Sequence, residues 1–116
     1  MIGISTKRIY EKPSKNDGCR ILVDRIWPRG VSKEAAKLDE WNKEIAPSGE
    51  LRKWFDHRED RFEEFKKRYK KELEKQGGEL ERIGKIANEK RLTLLYGAKN
   101  EKMNQTVVLR KVLEDF

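Results

Sequence analysis

One cysteine, Cys19, excludes an intramolecular disulfide, and one histidine, His57, leaves no Cys/His set at zinc-ligand spacing. No run is long and apolar enough to span a bilayer. The first ten residues, MIGISTKRIY, lack the apolar segment of a signal peptide, so the expected compartment is the cytoplasm, with no membrane partner. Hydrophobic residues are scarce at 35%, so three Trp, four Phe and three Tyr must carry much of the packing. Internal repeats, low-complexity tracts and linkers are absent, which leaves one domain over 116 residues, enough to bury a core without staples.

Charge is what the chain has in excess. Charged residues make up 42%, and 28 Lys and Arg against 21 Asp and Glu give a net charge of +7. A basic balance favours anionic partners: phosphorylated metabolites, nucleotides or nucleic acid. Acids and bases alternate almost everywhere, however, and abundant Lys, Glu and Arg with few Gln fit a heat-adapted protein. Heat adaptation is therefore preferred to nucleic-acid binding as the reason for the charge.

The stretch CRILVDRIWPRG, Cys19 to Gly30, organises the rest. Ile21-Leu22-Val23 is an apolar, partly β-branched run that suits a strand buried on both faces. It passes abruptly into Asp24, Arg25, Trp27, Pro28, Arg29 and Gly30, where a buried strand hands charged and aromatic groups to a loop. A second buried strand is expected at Leu92 to Tyr96, and a first at Ile2 to Tyr10 with Ile4 and Ile9 as anchors. The loop Lys12–Gly18 is too short for a crossover helix, so the first two strands are expected to pair antiparallel.

Helices are expected from Ser32 to about Ile45, with Leu38, Trp41 and Ile45 as its stripe, and from a Ser48 cap through Leu51, Trp54 and Phe55. Asp56 with Glu59 suggests a capping box opening a long helix to Gln76, its Phe62, Phe65, Tyr69 and Leu73 on one face and Gly77-Gly78 at its end. A further helix turns Leu80, Ile83, Ile86 and Ala87 inward. The last, capped by Asn104, is expected to bury Val108, Leu109, Val112, Leu113 and Phe116. The order implies an α/β fold: a small, mostly parallel sheet with helices packed on its faces.

If the strands at Ile21 and Leu92 are parallel neighbours, their C-terminal ends share one sheet edge, where open α/β sheets bind ligands. Arg25, Trp27, Arg29, Tyr96, Lys99 and Asn104 would converge there, with the N–H groups of the last helix. Arg29 offers a planar fork for carboxylate or phosphate, or a structural ion pair. Asp24 reads as the partner that fixes an arginine, or as a base. Trp27 would stack on a nucleobase or sugar, or simply pack. His57, in Asp56-His57-Arg58 at a helix start, is the residue type suited to proton transfer, or a solvated turn residue. Cys19 reads as a small buried hydrophobe. The basic run Lys66–Lys71 reads as a solvated helix face, with nucleic-acid contact as the alternative.

Four stretches together, RILVDRIWPRG, LDEWNKEIAPSGELRKWFDH, FKKRYKKEL and LTLLYGAKNEKMNQTVVL, resemble the domain-of-unknown-function 488 family, in its YeaO-like branch. The resemblance implies a single α/β domain over residues 1–116. Some longer relatives carry Cys-His-Arg on the loop entering the last helix, and the YeaO-like branch commonly has Asn-His-Ala. This chain has Asn104-Gln105-Thr106, so a cysteine nucleophile there lacks its sulfur, and Gln105 hydrogen-bonds a ligand without shuttling a proton. The expected function is binding of a phosphate-bearing or carboxylated small molecule, a nucleotide among them, by Asp24, Arg25, Trp27, Arg29, Tyr96, Lys99, Asn104 and Gln105. The alternatives are a hydrolase or transferase using His57 and Asp24 in the same pocket, and nucleic-acid binding through the basic helix face. No cofactor or oligomeric state is implied, and no metal.

Overall fold

The computed structural model describes residues 3–116; Ile2, the expected start of the first strand, lies outside them. Four strands form one all-parallel sheet: β1 Ile4–Arg8, β2 Cys19–Leu22, β3 Glu40–Trp41 and β4 Leu92–Tyr96, in spatial order β1-β4-β2-β3. Both inner strands, β2 and β4, are parallel neighbours with Ile21 beside Leu94 and Leu22 beside Leu95. All four of those side chains are fully buried. Alternate residues face opposite sides, so a strand that is apolar at every position must be covered twice.

The two covers differ. Cys19, Ile21, Val23, Leu92 and Leu94 meet a thick helical layer: α2 Gly49–Phe55, α3 Phe62–Glu74, α4 Gly77–Glu89 and α5 Gln105–Asp115. Phe62, Phe65, Tyr69 and Leu73 supply the stripe of α3, and Tyr69 donates its hydroxyl to the Ile45 carbonyl at 2.7 Å. On the other side, Ile9, Leu22 and Leu95 are covered by the chain between β2 and β3, which contributes Trp27, Val31, Ala36 and Leu38, and by Trp41 of β3. Each fully buried Leu or Ile stabilises the fold by roughly 1.5–3 kcal/mol, so both layers matter energetically.

The expected antiparallel pairing of β1 with β2 is not formed. Both run parallel to β4, one on either side of it. Their connection carries only a 3-10 turn, Lys15–Asp17, laid across the thin side, where Thr93 Oγ1 donates to the Asp17 carbonyl at 2.7 Å. Gly18 makes this possible: its φ is +67°, and a Cβ there would stand 2.1 Å from the Arg91 carbonyl oxygen.

The expected helix from Ser32 to Ile45 shrinks to α1, Lys33–Ala36. Lys37 turns left-handed (φ 47°), and the buried Arg20 guanidinium takes the Ala36 and Lys37 carbonyls that a continuing helix would have used. The Leu38–Trp41 spacing instead serves β3, paired with β2 through Glu40 and Trp41. Ser48 caps α2 as expected, its Oγ accepting from the Leu51 N–H at 3.1 Å. Asp56 is no N-cap: it closes α2 in a left-handed conformation, and a 3-10 turn, Glu59–Arg61, leads into α3. Gly77 and Gly78 open α4 rather than stopping α3, which ends at Glu74. Phe116 is 65% exposed, one residue beyond α5, so it does not join the core. None of the described helices is long and apolar enough to cross a membrane.

Candidate functional site

Parallel pairing sends β2 and β4 out on the same rim, where Asp24 and Gly97 meet. Asp24 Oδ2 accepts the Gly97 N–H at 2.9 Å, and the other carboxylate oxygen accepts from Gln105 Nε2. The same Gln105 nitrogen donates to the Val23 carbonyl at 2.7 Å, which fastens the start of α5 to the end of β2. A side chain at position 97 would place its Cβ 3.0 Å from Asp24 Oδ2, so glycine lets the two exits close on each other. From the thin side, Trp41 Nε1 donates to the Asp24 carbonyl at 2.7 Å. Burial pushes the Asp24 carboxyl up to about 6, against the opposing pull of the Gly97 N–H, the Arg52 charge and the Gln105 amide.

Above this carboxyl lies a cleft of about 310 Å³. Arg25, Arg52 and Lys53 bring cations to its lining, His57 an imidazole, Asp56 a second acid, and Ile26, Pro47, Phe55 and Phe65 an apolar wall. Asp56 and His57 are both left-handed, with φ of 49° and 53°, so the chain leaving α2 bends sharply beside the cleft. The His57 ring stands 6.2 Å from that of Phe55.

The residues singled out in the sequence fall into three groups. Asp24, Arg25, His57, Asn104 and Gln105 come together at the cleft. Lys99 lines an adjoining hollow of about 440 Å³ with Arg8 and Tyr10; His57, Gly97 and Ala98 line both spaces. Trp27, Arg29 and Tyr96 line neither. Trp27 packs in the thin layer, its Nε1 donating to the Val31 carbonyl at 2.7 Å and its ring edge-on to Trp41 at 5.1 Å. Arg29 has an exposed side chain, and its carbonyl accepts the Tyr10 hydroxyl at 2.9 Å. Tyr96 is buried in β4, where loss of solvent raises its phenol.

Even within the cleft, several groups are already engaged. Arg25 donates to the Pro47 and Ala46 carbonyls at 2.9 and 3.1 Å, pinning the turn before α2. Asn104 is buried and caps α5, accepting from the Thr106 N–H at 2.9 Å while its amide donates to the Asn100 and Glu101 carbonyls. Asp24, Arg52, Lys53 and His57 are left as the groups best placed to meet a ligand, while Gln105 has spent its two N–H donors on Val23 and Asp24 and keeps its carbonyl oxygen. Arg52, Lys53 and Arg8 were not singled out in the sequence. Cations on helix and strand surfaces are commonplace here, and no motif distinguishes these three.

Among the described residues no group of three or more His, Cys, Asp or Glu could hold a metal ion. The basic face of α3 is partly balanced: Lys66 pairs with Glu63 and Arg68 with Glu64, each at 3.0 Å. Cys19 is buried, and burial raises its thiol, which suits packing rather than nucleophilic attack.

Residues 3–116 match the family model described as the inactive DUF488-N3 subclade. Among curated proteins, the chain is 46% identical over 108 residues to uncharacterized protein YeaO of Escherichia coli (strain K12), covering 93% of this chain and 94% of that one. It is 47% identical over 70 residues to uncharacterized protein Mb3100c of Mycobacterium bovis, 60% of this chain and 59% of the relative. Uncharacterized protein Rv3073c of Mycobacterium tuberculosis matches over the same shares at the same identity. No solved structure matches.

Proposed function

The chain belongs to the inactive DUF488-N3 subclade, and from that premise we propose that it binds a small anionic molecule, phosphate-bearing or carboxylated, at the C-terminal edge of the sheet. The observation that carries this reading is the gathering of Arg52, Lys53 and His57 from one segment, and Lys99 from another, around the rim that Asp24 and Gln105 floor. Such a rim favours an anion that also carries a hydrogen-bond donor, since the floor presents a carboxylate. Calorimetric titration with phosphate, phosphorylated metabolites, nucleotides and dicarboxylates tests it. Binding should weaken with salt and drop at least tenfold in Arg52→Ala/Lys99→Ala; a folded protein that binds none of these anions would refute the reading.

One observation favours a second reading, an enzyme. A carboxyl near 6 in a cleft beside a histidine is the pattern of an acid–base pair. Against it stand the subclade's description as inactive and a cleft lining without Ser, Thr or Cys. Turnover of any phosphoester or carboxylate ester that His57→Ala abolishes would put this reading first. Nucleic-acid binding ranks third, because acids on α3 offset part of its basic face.

A further inference from the structure

The two hollows at the sheet edge share His57, Gly97 and Ala98 in their linings, and they differ in charge. Among the described residues the larger is lined by Arg8 and Lys99 and by no acid, although Glu11 accepts the Arg8 N–H at 3.0 Å and Glu59 the Asn100 amide at 3.1 Å. The Arg8 guanidinium is held in place by its Nε bond to the Ala98 carbonyl at 2.9 Å. In the smaller, cations are set against Asp24 and Asp56, and the walls are apolar. A fully ionised group such as phosphate meets two cations and no lining acid in the former, and cations opposed by two carboxylates in the latter, so its better field is in the former. The Asp24 carboxylate offers about four lone-pair positions, of which the Gly97 N–H and the Gln105 amide each take one. What remains is acceptor capacity on a largely buried acid, suited to neutral donors such as adjacent hydroxyls. A cleft of about 310 Å³ is small, at the lower end of ligand sites.

Resting on the anion-binding reading above, we infer that the ligand is a phosphorylated sugar, free or as part of a nucleotide. Its hydroxyls donate to Asp24 in the smaller hollow, and its phosphate lies between Arg8 and Lys99 in the larger. His57 stands at the junction. The carboxylate excludes a second anionic group from the sugar's end of the groove.

Calorimetry with ribose 5-phosphate, adenosine 5′-monophosphate, inorganic phosphate and ribose tests this on the whole chain. At least one phosphorylated sugar should bind tenfold or more tighter than phosphate or ribose alone; which of the two is tighter tells a free sugar phosphate from a nucleotide. Lys99→Glu should weaken it at least tenfold, and Asp24→Asn should reduce it to the level of inorganic phosphate, whose own binding persists. Should Asp24→Asn fail to fold, Gln105→Leu probes the same end and the exposed Lys99 the other. Phosphate binding with no gain from the sugar, or loss on Arg52→Ala but not on Lys99→Glu, would overturn the inference and leave anion binding standing. Absence of binding by these and every other anion would remove both.

Discussion

Two aspartates lie two residues outside either end of β2, and their surroundings are opposites. Asp17 receives Lys7 Nζ on both oxygens at 3.2 Å, Arg20 Nη1 at 2.6 Å and the Ser14 N–H at 3.0 Å. Burial alone would raise its carboxyl, but these donors outweigh burial and hold it below the ordinary aspartate range. Asp24 has the Gly97 N–H and a neutral amide but, among the described residues, no ion-pair partner, and burial drives it up to about 6. One end of the strand is closed by charge; the other is short of it. Both acids border a hollow, but Asp17 is already matched by Lys7 and Arg20. The Asp24 carboxylate keeps spare acceptor capacity beside a cleft lined by Arg52 and Lys53, which is the basis of the proposed site.

The largest expected effect is at the closed end. Arg20→Met should cost roughly 3 kcal/mol or more, because it strips a buried carboxylate of its nearest cation and strands the end of α1. Urea unfolding measures this, and a loss below about 1 kcal/mol would mean the network is ornamental.

The pH dependence of stability separates the two acids next. Asp24 is raised, so its contribution is fully present below 3.8 and is lost as pH climbs through about 6, on the order of 3 kcal/mol. Asp17 is lowered, so its contribution is present above 3.8 and is lost as pH falls. Asp24→Asn should flatten the profile between 3.8 and about 6 while leaving the acid limb intact. Unfolding curves that stay parallel to wild type across that window would contradict the assignment.

Much of the site's frame was legible in the chain, and the reason is physical. Ile21-Leu22-Val23 and Leu92–Tyr96 are apolar at every position, which only a doubly covered inner strand tolerates, and that reading placed Asp24, Gln105 and the start of α5 on one edge. The two-residue β3 was beyond reach: Leu38, Trp41 and Ile45 fit a helical stripe, and only Arg20, distant in sequence, takes the carbonyls that end α1. Roles of single arginines were similarly hidden. Nothing local to Arg25 or Arg52 says that the first is spent on the Ala46 and Pro47 carbonyls and the second rims the cleft. Trp27 read as either a stacking surface or a packing residue, and it packs; what it packs against was hidden, because the thin layer it completes comes from residues that read as loop and helix.

Smaller effects sharpen the contrast. Gly97→Ala forces a Cβ against Asp24 Oδ2 and should cost about 1 kcal/mol, with a weaker ligand affinity as the more telling readout. Smallest of all, Lys70→Gln and Lys71→Gln on the exposed face of α3 should shift stability by less than about 0.5 kcal/mol and leave ligand affinity unchanged. A loss of ligand in those variants would move the partner away from the sheet edge.

Amide chemical shifts followed during titration with a phosphorylated ligand ask the question of the whole molecule at once. Perturbations should gather at Asp24, Arg52, His57, Gly97, Lys99 and Gln105, with Asp17 and Arg20 still. Shifts centred on Asp17 and Arg20, or along the lysines of α3, would contradict the assignment of the site to the rim shared by β2 and β4.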